Sequence, residues 1–310
     1  MGNAAVIFPG QGSQFVGMGR DVTQASARAR GVYQRAGRIL GFDVATLCFE
    51  GPAEQLERTD IQQPAIFVTS AALWEAFLEL GGSLRQFTRA AGLSLGEYTA
   101  LYAAGALSFE DALRLVRYRG ELMQAAALAA PSGMVSLVGA NETSANALCD
   151  QARGDEVLAP ANYNCPGQIV ISGSKAACER AVSLADEFQC RAVTLAVAGA
   201  FHSPLMEPAA LGLEPHLQGA LFRTPAVPVL ANVNAEYHGA PSAVRASLRR
   251  QVTQPVLWQR CIERMVADGC DEFIEIGPGR VLTGLMRKIN RQITAINAGT
   301  VDALAGAIPA

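Results

Sequence analysis

From residue 133 to residue 197 the hydrophobic period switches at every turn of the chain. GMVSLVG (133–139) reads as a strand, ETSANALCDQA (142–152) as a helix, VLAPANYN (157–164) and GQIVISG (167–173) as strands, SKAACERAVSLADEF (174–188) as a helix and CRAVTLAV (190–197) as a last strand. The order βαββαβ admits few packings, and four strands with two helices close as a ferredoxin-like layer. We expect 128–198 to form such a small domain, inserted into a larger one built from 1–127 and 199–310. The Ala-rich AAALAA at 125–130 would end a helix at that boundary.

The flanking segments share a different style. AAVIF (4–8) reads as a buried strand running into the glycine-rich PGQGSQ, and helical patterns follow at 27–40 and 64–79, the second opening on Pro64. Farther on, VLWQRCIERMVADG reads as a helix, DEFIEIG as a strand and PGRVLTGLMRKIN as a helix entered through a Gly-Pro-Gly turn. The expected fold class is therefore α/β: a large α/β-hydrolase-like domain with a parallel sheet, plus the small inserted ferredoxin-like domain. A cleft between the two is the natural place for a ligand.

Composition narrows the function classes. With 310 residues, 50% hydrophobic and 17% charged, the chain can bury a large core. A net charge of −3 and scattered arginines argue against nucleic acid as the principal ligand. No apolar run reaches the roughly 18 residues of a membrane span, and the N-terminus lacks the basic start and apolar centre of a signal peptide, so the cytoplasm is the expected compartment. The seven cysteines form no C-x-x-C pair and no metal-like spacing with the three histidines; reduced, mostly buried thiols and no metal are expected.

The chemistry starts at GLSLG (92–96), which fits G-x-S-x-G, a strand turning sharply into a helix with the Ser hydroxyl lifted clear. Ser94 is then a nucleophile, or a small residue at an ordinary turn. A nucleophile needs a base, and the chain offers three histidines. His216, in LEPHLQG, and His238, in the turn-like AEYHGAP, read as solvent-facing. His202, in VAGAFHSPLM, ends a strand-like run just before Ser203-Pro204 opens a helix; it is a core residue or the base. Acyl transfer also needs donors for an oxyanion. The N–H of Leu95, next after the nucleophile, is one, and the loop around Gln11 could supply another. PGQGSQ read as a dinucleotide loop fits poorly, because the third glycine position is Phe15. In FEDALRLVRYRGELMQAA the apolar stripe through Ala112, Leu115, Val116, Leu122 and Met123 carries Arg119 on it. An inward guanidinium belongs to an internal salt bridge, snorkels to water, or clamps a substrate carboxylate.

Taken together these stretches resemble the malonyl-CoA:acyl carrier protein transacylase family. The resemblance runs through FPGQGSQ (8–14), GPAEQLERTDIQQPA (51–65), GLSLGEY (92–98), VRYRGELMQ (116–124), NYNCPGQIVISG (162–173), GAFHSPLM (199–206), QVTQPVLW (251–258) and EIGPGRVLTGL (275–285). It implies an acyl ester on Ser94, His202 as base and then acid, and an oxyanion hole from the amides of Gln11 and Leu95. It also implies a main-chain carbonyl of Gln251 orienting His202, Arg119 holding the malonyl carboxylate, and Gln63 and Asn162 near the substrate pocket. Phe201, in the GAFH form of malonyl-selecting members, would crowd an α-methyl branch. The substrate implied is malonyl-CoA, with no bound cofactor, an acyl carrier protein as partner and a monomeric enzyme of fatty-acid or polyketide synthesis. A carrier-protein thioester hydrolase of the same fold is the alternative. Leu93 departs from the family's usual G-H-S-x-G and is similar to free-standing acyltransferases that serve polyketide synthases in trans.

Overall fold

The computed structural model describes residues 3–308. Among the described residues eight strands run in chain order: β1 Ala4–Phe8, β2 Phe87–Gly92, β3 Ser132–Val138, β4 Leu158–Cys165, β5 Gln168–Ser174, β6 Arg191–Thr194, β7 Glu272–Glu275 and β8 Thr294–Asn297. They form two four-stranded sheets, in the orders β2-β1-β7-β8 and β4-β5-β3-β6.

All pairs in the first sheet are parallel, with Phe8 opposite Gly92 and Ile7 opposite Glu275. β1 lies at its centre and is buried at every position, as an uninterrupted apolar run must be when both faces of a parallel sheet are covered. Beyond β2, residues 228–230 continue the sheet: Ala90 N–H donates to Pro228 O at 2.9 Å and Leu230 N–H to Ala90 O at 3.1 Å. The second sheet is antiparallel throughout. Its two helices, Glu142–Arg153 and Lys175–Leu184, pack Leu148 and Ala181 into one core with Leu137 and Ile171, which is the arrangement the βαββαβ order implies. Tyr163 N–H to Val256 O and Val256 N–H to Ala161 O, both 2.9 Å, tie β4 to the chain just beyond residue 251.

Two expectations needed correction. The helix assigned to 64–79 spans Thr59–Glu79, so Pro64 lies inside it. The helix starts earlier because Ile61 and Gln62 N–H groups already close a turn on Arg58 O, and a proline so near the start removes only one later bond. The last strand of the second sheet stops at Thr194, not 197. Val197 N–H folds back onto Leu195 O at 3.0 Å, a three-residue turn that ends the pairing.

Helix Thr59–Glu79 is buried around its whole circumference, consistent with apolar residues on every face. It crosses helix Phe109–Ala129 at Gly120, where an added Cβ would sit 2.9 Å from Thr59 O. Only glycine permits this approach, and it sets Arg119 beside Gln63. At the end of β7, the buried Glu275 accepts from Leu282 N–H (3.0 Å) and Thr283 N–H (2.8 Å), an anion at the start of helix Val281–Ile289.

A tight crossing lies under the candidate nucleophile. A Cβ on Gly96 would fall 2.1 Å from Phe8 O, whereas one on Gly284 would meet nothing within 4 Å. Gly96→Ala should therefore lower the urea midpoint by the equivalent of about 3 kcal/mol. Gly284→Ala, in an open helical position, should raise it by about 0.5–1 kcal/mol, both read from equilibrium unfolding.

Candidate active site

β2 ends at Gly92 and helix Gly96–Ala103 begins four residues later, so the reversal is made by Leu93, Ser94 and Leu95. Leu93 N–H is held by Phe8 O (3.1 Å), and Gly96 N–H returns to Leu93 O (2.9 Å). This leaves Ser94 at φ 52°, a left-handed conformation that is strained for a side chain with a Cβ. Ser94 N–H is fixed by Asn232 Oδ1 at 2.6 Å. The hydroxyl is thus presented at the start of the helix, in the strand–turn–helix setting that the GLSLG spacing predicts.

Ser94 Oγ lies 2.8 Å from His202 Nε2, although 108 positions separate the two residues. His202 is likewise in the left-handed region, at φ 57°. Its Nδ1 is 2.7 Å from the main-chain oxygen of Gln251. A carbonyl oxygen only accepts, so Nδ1 carries the proton and Nε2 is free to accept from Ser94 O–H. His202 occupies a turn beyond β6 rather than a strand end. Burial, and after it the charge of Arg119, push His202 down to about 3, against a smaller upward pull from the Gln251 carbonyl. The imidazole is therefore neutral near neutrality.

Arg119 is 1% exposed and does not snorkel to water, and it forms no salt bridge among the described residues. Its Nη1 donates to Gln63 Oε1 at 2.6 Å; its Nη2 donates to Ser94 Oγ at 2.9 Å and to Gln251 Oε1 at 3.1 Å. All three acceptors are uncharged, and Nε has no partner among the described residues. The Tyr98 ring lies 5.7 Å from the guanidinium carbon. Desolvation is the chief influence lowering the Arg119 pKa. Gln63 is held with its oxygen toward Arg119 because its Nε2 faces Met123 Sδ at 3.6 Å.

In front of Ser94 and His202 opens a cavity of about 180 Å³. One wall comes from the antiparallel sheet, with Met134, Asn162 and Val170, and continues through Leu195, Val197 and Phe201; the other carries Gln11, Leu93, Val281 and Leu285. Gln11, Phe201 and Asn162 thus stand on the cavity wall, while Arg119, Gln63 and Gln251 stand behind the hydroxyl. The N–H groups of Gln11 and Leu95 have no acceptor among the described residues. Leu93 places an apolar side chain on the wall.

Three buried groups escaped the sequence reading. Glu97 is fully buried, with Oε2 accepting from Gln251 Nε2 (2.8 Å) and Asn232 N–H (2.9 Å). His238, expected to face solvent, has a side chain only 1% exposed and sits 2.9 Å from Glu97 Oε1. Its turn-like sequence was correct about the backbone, but the imidazole points inward to a carboxylate. Asn232 had no pattern to mark it. Glu97 could have been noticed, since three residues beyond Ser94 on a helix is the same face. His216 is half-buried and stacks on Tyr118 with ring centroids 3.6 Å apart. Among the described residues no group of three or more His, Cys, Asp or Glu could hold a metal, all seven cysteines are free and buried, and no helix is long and apolar enough to cross a membrane.

The chain matches the acyl transferase domain family over residues 6–308. It is 42% identical over 298 residues to the malonyl CoA-acyl carrier protein transacylase of Bacillus subtilis, covering 96% of this chain and 93% of the relative. Among solved structures, the malonyl CoA-acyl carrier protein transacylase of Coxiella burnetii superposes with a TM-score of 0.96 at 35% identity, covering 99% and 97% of the two chains. A malonyl-transacylase solved in complex with its type II polyketide synthase acyl-carrier protein gives 0.94 at 38% identity, covering 99% of each chain. On this agreement of sequence and fold along the whole length, the chain belongs to the acyl transferase domain family, within the group of malonyl CoA-acyl carrier protein transacylases.

Proposed function

We propose that the chain moves a malonyl group from malonyl-CoA to the phosphopantetheine thiol of an acyl carrier protein, through a malonyl ester on Ser94. The observation that carries this reading is Arg119, a buried guanidinium 2.9 Å from Ser94 Oγ that touches only uncharged groups. A buried charge without a partner is costly, and a substrate carboxylate supplies one.

In the proposed cycle His202 Nε2 takes the Ser94 proton as Oγ attacks the thioester carbonyl, whose oxygen turns to the N–H groups of Gln11 and Leu95. The C–S bond then breaks, and the proton on His202 passes to the departing coenzyme A thiolate. In the second half the carrier-protein thiol gives its proton to His202, its sulfur attacks the ester, and Ser94 leaves with that proton returned. The Gln251 carbonyl keeps the imidazole in the one tautomer that serves both halves. A malonyl carboxylate on Arg119 also cancels the second of the two causes that depress His202, so the substrate raises the basicity of its own base. Gln63 holds Arg119 in place, Asn162 stands where it can bind the thioester arm, and Phe201, 3% exposed, crowds an α-methyl branch.

The division of the chain at 128–198, a monomeric state, a cytoplasmic location and the absence of any bound cofactor belong to this proposal. So does a docking surface that includes Arg287 and Lys288, at the exposed end of the helix whose Val281 and Leu285 line the cavity. Arg180, by contrast, is taken up by Glu156 and two main-chain oxygens.

Incubation with malonyl-CoA should leave one malonyl group on Ser94 by intact mass, and added carrier protein should remove it; Ser94→Ala should stay unmodified. Release of free malonate instead would favour a thioester hydrolase of this fold. Arg119→Ala should lower kcat/KM for malonyl-CoA by about 100-fold, the scale of losing one partner of a buried charged pair, while sparing acetyl-CoA. Equal losses on both substrates would remove the clamp.

The depressed pKa of His202 fixes the pH dependence. An unfolded histidine takes up a proton as the pH falls through about 6.5, and the folded one does so only near 3, so the contribution of His202 to stability declines across that window on acidification and is constant above it. For the same reason kcat/KM for malonyl-CoA should show no inflection between about pH 7.5 and 5.5. A titration at the ordinary histidine value would contradict the assignment of His202 as a buried neutral base.

A further inference from the structure

We propose that Glu97 is the positioning residue of this site: acting through Gln251, it holds His202 and Arg119 in register and supplies from a distance the countercharge that Arg119 lacks at contact. The inference rests on the reading of Ser94, His202 and Arg119 given above.

Glu97 lies one turn beyond Ser94, and both its carboxylate oxygens are enclosed. Oε1 faces His238 Nε2 at 2.9 Å, and Oε2 takes Gln251 Nε2 at 2.8 Å and Asn232 N–H at 2.9 Å. Two of these partners reach directly into the site. Gln251 offers Oε1 to Arg119 (3.1 Å) and its main-chain oxygen to His202 Nδ1 (2.7 Å), while its Nε2 also donates to Ser94 O (3.0 Å). Asn232 takes Ser94 N–H on Oδ1 (2.6 Å) and donates Nδ2 to Gly92 O (2.9 Å). Nucleophile backbone, base and cation are thus each one residue removed from the same carboxylate.

The Gln251 amide stands between the two buried charges with its NH2 toward Glu97 and its oxygen toward Arg119. Its dipole is aligned with both. The guanidinium is balanced across an amide rather than neutralised at contact, which keeps it charged, dry and open to an incoming carboxylate. A direct ion pair would have filled the clamp. His238 closes the far side, so that Oε1 has a donor and the carboxylate cannot turn toward Arg119. A purely structural role, with Glu97 serving only as an acid in the first turn of its helix, would require none of this connection to His202 and Arg119.

The test measures the rate at which a fluorophosphonate labels Ser94, and the concentration of free malonate that protects Ser94 from it, in folded wild type, Glu97→Ala and Glu97→Gln. Neither readout requires malonyl transfer, and a parallel malonyl-CoA mass assay on wild type reports the functional reading by itself. Glu97→Ala frees the Gln251 amide and should slow labelling by about 100-fold, the scale expected when reacting groups are displaced by about 1 Å. Glu97→Gln keeps the hydrogen bond to Gln251 and removes the charge. It should label within about tenfold of wild type, yet need about tenfold less malonate for protection, because a buried anion near the clamp is gone. Wild-type labelling by folded Glu97→Ala would overturn the positioning role. Unchanged or weaker malonate protection in Glu97→Gln would overturn the countercharge, and with it the proposal, even where Glu97→Ala does not fold.

Discussion

A guanidinium held in the dry interior against three uncharged oxygens is the interaction around which this structure is arranged. Removing such a charge from water costs several kcal/mol unless something compensates. The protein divides that compensation between Gln63, Gln251 and Ser94 at contact and a carboxylate beyond Gln251. The helix crossing at Gly120, the orientation of Gln63 against Met123 and the burial of Glu97 all bear on where Arg119 can sit. In the proposed reaction this unmet demand is what a malonyl group answers and an acetyl group does not.

The second constraint is steric. Phe8, Leu93 and Gly96 meet with so little room that a glycine is required where the helix leaves the strand. The same crowding forces Ser94 into a left-handed backbone, and His202 adopts one too. Two strained residues from distant parts of the chain meet at 2.8 Å because their surroundings over-determine both: Asn232 and the end of β1 at Phe8 on one side, Gln251 and the turn through Ser203 on the other.

Much of this was legible in the sequence, for reasons that differ from residue to residue. The alternation at 133–197 carried the antiparallel sheet because period-2 strands and period-3.6 helices bury different positions. GLSLG signalled the turn because only glycine tolerates those contacts, and Arg119 stood out because a charge on an apolar stripe needs an explanation. Gln251 was not readable in this way, since its decisive atom is a main-chain oxygen that any residue possesses; only the family resemblance indicated it. His238 was misread because a turn-forming neighbourhood fixes the path of the backbone and says nothing of where an imidazole points. Pro64 was placed too early in its helix because proline marks a region of tolerance near a helix start rather than a single position.

The cavity adds selectivity without adding charge. Its walls are mostly apolar, with Gln11, Asn162, Asn164 and Gln168 among them, and no charged side chain lines it. In the proposed reaction a substrate carboxylate finds behind Ser94 the one buried cation among the described residues, which would draw the acyl group into one orientation before attack. Single-turnover acylation of Ser94 by malonyl-CoA, compared with its neutral methyl ester of nearly the same shape, isolates this effect. The account predicts that the charged substrate acylates about 100-fold faster. Equal rates would mean that Arg119 serves the architecture and not the reaction.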